Sequence, residues 1–187
     1  LSSILVFTPI AVLCKETALL VPLYLLAIEW TLFRFKSADN AANTFLRLFF
    51  SVVIIAPGLV LIAYMVSNPG LIQGSYASRD FTLTERLLTE PRVLWMYIRM
   101  ILLPSNATMG LFHDDIPLSS GILSPVTTLL SVAGLVILAV GAVMARKRLS
   151  LISFGILFFL AGHSLESSIL GLEIAHEHRN YIPLLGL

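Results

Sequence analysis

Seven ionisable side chains, His163, Glu166, Glu173, His176, Glu177, His178 and Arg179, fall within seventeen positions of a chain in which only 12% of residues are charged. They follow one apolar run and precede another. Three chemistries fit these residue types. Arg179 with the histidines can hold a phosphate, since a guanidinium matches an oxyanion in charge and in geometry. Glu173-x-x-His176 has the spacing of a carboxylate-bridged di-metal helix, although such sites draw on further helices and only one motif of this kind is present. The same residues can also serve as caps and ion pairs that hold helix ends together.

Two smaller groups accompany them. Lys15-Glu16 interrupts an apolar stretch. It reads either as an ion pair at a turn or as a cation for a lipid-linked phosphate, oriented by the adjacent acid. The pairs Arg79-Asp80, Glu85-Arg86 and Glu90-Arg92 and the triplet His113-Asp114-Asp115 lie in a long polar segment. Asp114 and Asp115 suit a divalent cation or a general base, or are simply solvated. No motif demands a cofactor, and a divalent cation is the metal that Asp114 and Asp115 would take. Asn106-Ala107-Thr108 has the form of a glycosylation sequon. The nucleophile-elbow, P-loop, dinucleotide and zinc-protease patterns are all missing, which removes those hydrolase and nucleotide-driven classes.

The elements that must position these groups are membrane helices. Hydrophobic residues make up 57% of the chain and mean hydropathy is +0.91, the composition of a polytopic membrane protein. The lipid bilayer is therefore the first partner. The net charge of +1 comes without a basic patch, so nucleic acid is excluded. A single cysteine, Cys14, rules out an internal disulfide and a cysteine-based zinc site. The chain opens on Leu1 rather than Met and stops inside an apolar run, so it reads as an internal piece of a longer protein.

In order, 1–14 and 17–33 are apolar, and together would make a helix of roughly 50 Å, too long for a core of about 30 Å. A turn is therefore expected near Cys14-Lys15-Glu16. A further span covers 45–66, with a kink expected at Pro57-Gly58. Residues 67–121 read as an outer segment in which 91–103, rich in Trp95, Met96 and Tyr97, lies at headgroup level. Spans follow at 122–145 and 149–170, and another starts at Tyr181. The expectation is an all-α polytopic bundle, 1–187 as part of one domain, with about five spans, a partial terminal one and an outer interfacial helix.

The short links carrying Arg34, Lys36 and Arg47, and Arg146-Lys147-Arg148, belong in the cytoplasm by the positive-inside rule. Lys15-Glu16, residues 67–121 and residues 163–183 then share the opposite face. On a helix starting near Leu149, His163 and Glu166 stack at spacing i, i+3 near the outer edge of the hydrocarbon.

These features resemble a family. Cys14-Lys15-Glu16 resembles the Ser-Lys-Glu of the transmembrane and tetratricopeptide-repeat O-mannosyltransferases. The stretch from Glu177 through Tyr181 and Pro183 to Gly186 is similar to their Glu-Arg-x-x-Tyr-Leu-Pro-Ser-x-Gly. Arg179 comes two residues after Glu177 rather than one, Leu184 stands where the family has serine, and Cys14 replaces the other serine, which suggests a bacterial relative. The resemblance implies a glycosyltransferase of the inner membrane, active on its periplasmic face, that moves a sugar from a polyprenyl-phosphate donor to a protein or glycan acceptor. It implies Lys15 and Glu16 for the lipid phosphate and Glu177 and Tyr181 for the site floor. It also implies a catalytic acid ahead of Leu1, a tetratricopeptide-repeat region beyond Leu187, and no activity in 1–187 alone. Rival readings are an O-antigen ligase or polymerase, a transporter, and a scaffold.

Overall fold

The computed structural model describes residues 2–36, 40–105 and 116–187. Asp114, Asp115 and the sequon at Asn106 lie outside the described residues. Within them, every regular element is helical, and the sole extended pairing is an isolated bridge between Gly121 and Ser124. Seven α-helices are present among the described residues: α1 Ser2–Cys14, α2 Val21–Ile28, α3 Asn40–Ser67, α4 Pro69–Tyr76, α5 Leu83–Leu102, α6 Val126–Ala145 and α7 Ser150–His163.

Among the described residues, three stretches are long and apolar enough to cross a membrane: Glu16–Phe33, Ala41–Ser67 and Val126–Ala145. The first is composite, with a 3-10 turn at Glu16–Leu20, then α2, then a π turn at Glu29–Phe33. Two shorter apolar helices, α1 and α7, accompany them. At 14 residues, α7 is about 21 Å long, so the expected count of about five spans is not reached by helix length. Apolar side chains on α3 (Phe45, Ile55, Leu59, Val60) and α6 (Leu130, Ile137, Met144) are exposed. Hydrocarbon is the solvent such surfaces fit.

The chain does break where the long apolar run required it. Lys15 is extended (φ −154°, ψ 131°) and separates α1 from the 3-10 turn. Helix α3 runs unbroken through Pro57. The basic links meet at one end of the molecule: Arg34 Nη2 donates to the Lys147 carbonyl at 3.0 Å, and the Arg146 guanidinium lies 5.0 Å from the Trp30 ring centre. Lys15 and the C-terminal end of α7 lie at the other ends of the helices that carry them.

Helix α5 differs from its expectation as a short helix lying flat at headgroup level. It starts eight residues before Pro91, because Thr82 and Glu85 form a reciprocal capping box that satisfies the first free N–H groups. It runs alongside α6 and in the same direction. Near its start, Thr89 Oγ1 accepts from Ser119 N at 2.9 Å, and Ser119 Oγ meets Thr128 Oγ1 at 2.7 Å. Further along, Trp95 Nε1 donates to the Ser131 carbonyl at 3.0 Å and its indole fills the space that Gly134 leaves open. Val93, Tyr97, Ile98 and Met100 of α5 then build the main core with Phe159 of α7 and Ala175. On the other flank of α7, Phe158 packs on Leu20 and Tyr24, with the Tyr24 and Phe158 rings 4.3 Å apart. Helix α7 therefore sits between α2 and the α5–α6 pair.

Helix α7 ends at His163 rather than near residue 170. Ser164 Oγ donates to the Ala161 carbonyl at 2.7 Å and Ser168 Oγ to that of Leu165, local bonds that compete with helix continuation. The chain proceeds as an irregular coil over 164–176, then as 3-10 turns at Glu177–Asn180 and Pro183–Gly186. The span expected to begin at Tyr181 is these two short turns within the described residues.

Candidate functional site

A cavity of about 240 Å³ opens where the first composite span, the end of α7 and the C-terminal turns meet. Lys15 and Thr17 enter it from the break after α1, Leu20 and Tyr24 from the next two turns, Glu166 from the coil, and His178, Arg179, Tyr181, Ile182 and Pro183 from the C-terminal turns. Two permanent cations, Lys15 and Arg179, face one carboxylate, Glu166, so the lining carries a positive excess. Its volume falls below the roughly 300–1,000 Å³ of sites that engulf a whole ligand. It suits a charged headgroup whose remaining parts lie outside.

Arg179 is 6% exposed and Glu166 7%, and both sit beside the cavity. Arg179 Nε lies 3.6 Å from Glu166 Oε2 and Nη2 lies 3.8 Å from Glu173 Oε2, while Nη1 donates to the Ile174 carbonyl at 3.4 Å. All three contacts are long for charge-assisted hydrogen bonds, which favour about 2.7–2.9 Å. The guanidinium is held in place without being saturated. Glu173 is also bound by Arg79 at 3.0 Å; its own backbone N–H and then Arg79 hold its carboxyl below the ordinary carboxylate range.

The expected stacking of residues on shared helix faces does not occur. His163 is the last residue of α7; its buried ring stacks on Tyr97 (5.2 Å) and packs edge-on to Phe159 (4.6 Å), away from the cavity lining. Glu166 lies beyond the helix end and faces Arg179 instead. Glu173 and His176 are not on a helix, so the Glu-x-x-His geometry is not formed: Glu173 turns to Arg79, and His176 Nδ1 meets His178 Nδ1 at 2.8 Å. One of these two nitrogens carries the shared proton. Partial burial and then the His176 ring beside it push the His178 imidazole below its ordinary value at the cavity edge. Among the described residues no group of three or more His, Cys, Asp or Glu could hold a metal.

Tyr97 fixes this turn from within the core. Its hydroxyl donates to the His176 carbonyl at 3.1 Å and accepts from His176 N at 2.7 Å. Glu16 opens the 3-10 turn after Lys15, with its side chain exposed and outside the cavity lining. Glu177 is half-buried and likewise outside the lining, while Tyr181 is 83% exposed at the rim. Of the residues singled out from sequence, Lys15, Glu166, His178, Arg179 and Tyr181 share the cavity; Glu16, His163, His176 and Glu177 lie around it.

Sequence reasoning missed Thr17 and Tyr24, and it marked Arg79, Arg86 and Glu90 only as members of polar pairs and Tyr97 only as part of a headgroup-level helix. The Thr82-x-x-Glu85 capping box was the available signal for the Arg86–Glu90 pair, because it starts a helix on which those two residues are one turn apart. Neither known protein families, curated proteins nor solved structures match this chain.

Proposed function

We propose that the protein is a membrane glycosyltransferase that moves a sugar from a polyprenyl-phosphate donor to a protein or glycan acceptor on the periplasmic face of a bacterial inner membrane. One observation supports this above the rest. Lys15 and Arg179, far apart in sequence, line a single headgroup-sized cavity at the ends of their helices away from the basic links. In the reaction the bond between the sugar's anomeric carbon and a phosphate oxygen breaks, the acceptor hydroxyl oxygen takes the carbon as its proton passes to a carboxylate base, and the phosphate leaves with the bonding electrons. Cations already in position stabilise that developing charge most effectively where water is scarce. Leu20, Tyr24, Ile182 and Pro183 supply an apolar wall on which the first isoprene units fit. Glu166 is engaged with Arg179, so the described residues serve the leaving-group side of the reaction.

Transport is the weaker reading. Stretches 17–28, 48–67 and 126–145 contain no Asp, Glu, Lys or Arg, whereas transporters place ionisable groups and broken helices at the midplane. The test uses membranes expressing the protein with whatever native sequence flanks residues 1–187. Radiolabelled polyprenyl-phosphate sugars are expected to label an acceptor while the matching nucleotide sugars do not. Label arriving only from nucleotide sugars, or from no donor, contradicts the proposal.

A further inference from the structure

Two arginines are buried near the cavity, and they are bound in opposite ways. Arg179 makes three long contacts. Arg86, with no exposed surface, spends four of its five N–H donors on backbone carbonyls at 2.6–3.3 Å. Its Nε donates to the Ser168 carbonyl (3.3 Å), Nη1 to those of Leu172 (2.6 Å) and Glu173 (2.8 Å), and Nη2 to that of Glu166 (2.7 Å). Nη2 also meets Glu90 Oε1 at 2.7 Å. An arginine has five donors in a fixed fork, and here four of the five fill backbone carbonyls of one coil, 164–176. That coil has no regular hydrogen bonding of its own to satisfy those acceptors. It carries Glu166 and Glu173, the two carboxylates that flank Arg179.

We infer that Arg86 is a positioning residue for the cavity: by gripping the 164–176 coil from α5 it fixes Glu166 and Glu173, and through them the Arg179 guanidinium. Glu90 lies beside the buried clamp. Tyr76 and Arg79 add outer ties to the same coil, the tyrosine hydroxyl to the Ile169 carbonyl at 3.1 Å and Arg79 Nε to that of Gly171 at 2.9 Å. Neither reaches Glu166, although Arg79 also holds the Glu173 carboxylate. The anion-holding role of Arg179 rests on the function proposed above; the positional claim does not.

Phenylglyoxal, which modifies accessible guanidinium groups, reads the position of Arg179 directly by peptide mass spectrometry of the detergent-solubilised protein. Wild-type Arg179 is nearly buried and should react slowly. In Arg86→Gln and Arg86→Lys, with helix content by circular dichroism as in wild type, Arg179 should react at least about tenfold faster, equivalent to about 1.4 kcal/mol easier local opening. The lysine keeps the charge but cannot make the fork, so charge alone should not restore protection. Tyr76→Phe should change the rate by less than about threefold, because it removes only the tie to the Ile169 carbonyl. An unchanged Arg179 rate in either folded Arg86 variant overturns the inference. Failure of both to fold also overturns it, since Arg86 would then support the whole bundle rather than the coil. A separate arm, protection of wild-type Arg179 by polyprenyl phosphate, reports on the proposed function and leaves the positional claim untouched if it fails.

Discussion

Alanine at Lys15 or at Arg179 is expected to cut sugar transfer by roughly 10²–10³-fold, the loss typical of removing one preorganised group from a developing anion. The two variants should differ in their side effects. Lys15 is exposed at the break after α1, so Lys15→Ala should express, insert and fold as the wild type does. Arg179→Ala leaves Glu166 buried without its cation, and an uncompensated buried charge is destabilising in its own right. Arg179→Lys therefore belongs beside it: the charge remains, the planar fork is lost, and transfer should fall while Glu166 stays partnered. The check is an initial rate from radiolabelled polyprenyl-phosphate sugar, normalised to protein in the membrane. Wild-type transfer by Lys15→Ala would remove the cavity from the reaction.

The largest structural effect is expected from one methyl group. A Cβ built on Gly155 would lie 1.9 Å from the Gly186 carbonyl oxygen, and one on Gly162 would lie 2.4 Å from Pro183 Cγ. The two glycines are two helical turns apart on α7, so they form one smooth stripe on which the Pro183–Gly186 turn rests. At Gly155 the obstacle is backbone, which cannot rotate away. Gly155→Ala should cost about 1–3 kcal/mol, the range for overpacking a close contact, and should lift the turn that carries Ile182 and Pro183 off the cavity wall. Thermal unfolding in detergent together with limited proteolysis after Arg179 measures both effects. A wild-type melting temperature with unchanged cleavage would show that the turn does not rest on α7.

How far the sequence reveals this arrangement depends on the range of the force involved. The break at Lys15 was legible because hydrocarbon thickness limits helix length. The shared end of the two basic links followed from charge bias and reappears as the contact between Arg34 and the Lys147 backbone. Alternating spans put Lys15 and residues 163–183 on one face, and the cavity brings Lys15 together with His178, Arg179 and Tyr181. What failed were statements needing a local helix that tertiary contacts refused. Spacing i, i+3 puts His163 and Glu166 on one helix face, yet the serines after His163 end α7 between them. Residues 91–103 read as a short helix at headgroup level, whereas the helix starts at Leu83 and Arg86 on its first turns takes up the carbonyls of a distant coil. No periodicity encodes such a partner, since the coil that needs Arg86 lies some 80 residues downstream. The outer acids Asp114 and Asp115 lie outside the described residues.

The most direct test of the central claim is photo-crosslinking with a polyprenyl phosphate that carries a diazirine in its first isoprene unit. If the cavity holds the lipid phosphate, adducts should concentrate on the wall residues Leu20, Tyr24 and Ile182. They should be displaced by unlabelled polyprenyl phosphate but not by uncharged polyprenol, and should fade in Lys15→Ala. Adducts spread along the exposed apolar face of α3, with the phosphate and the free alcohol competing equally, would contradict the account.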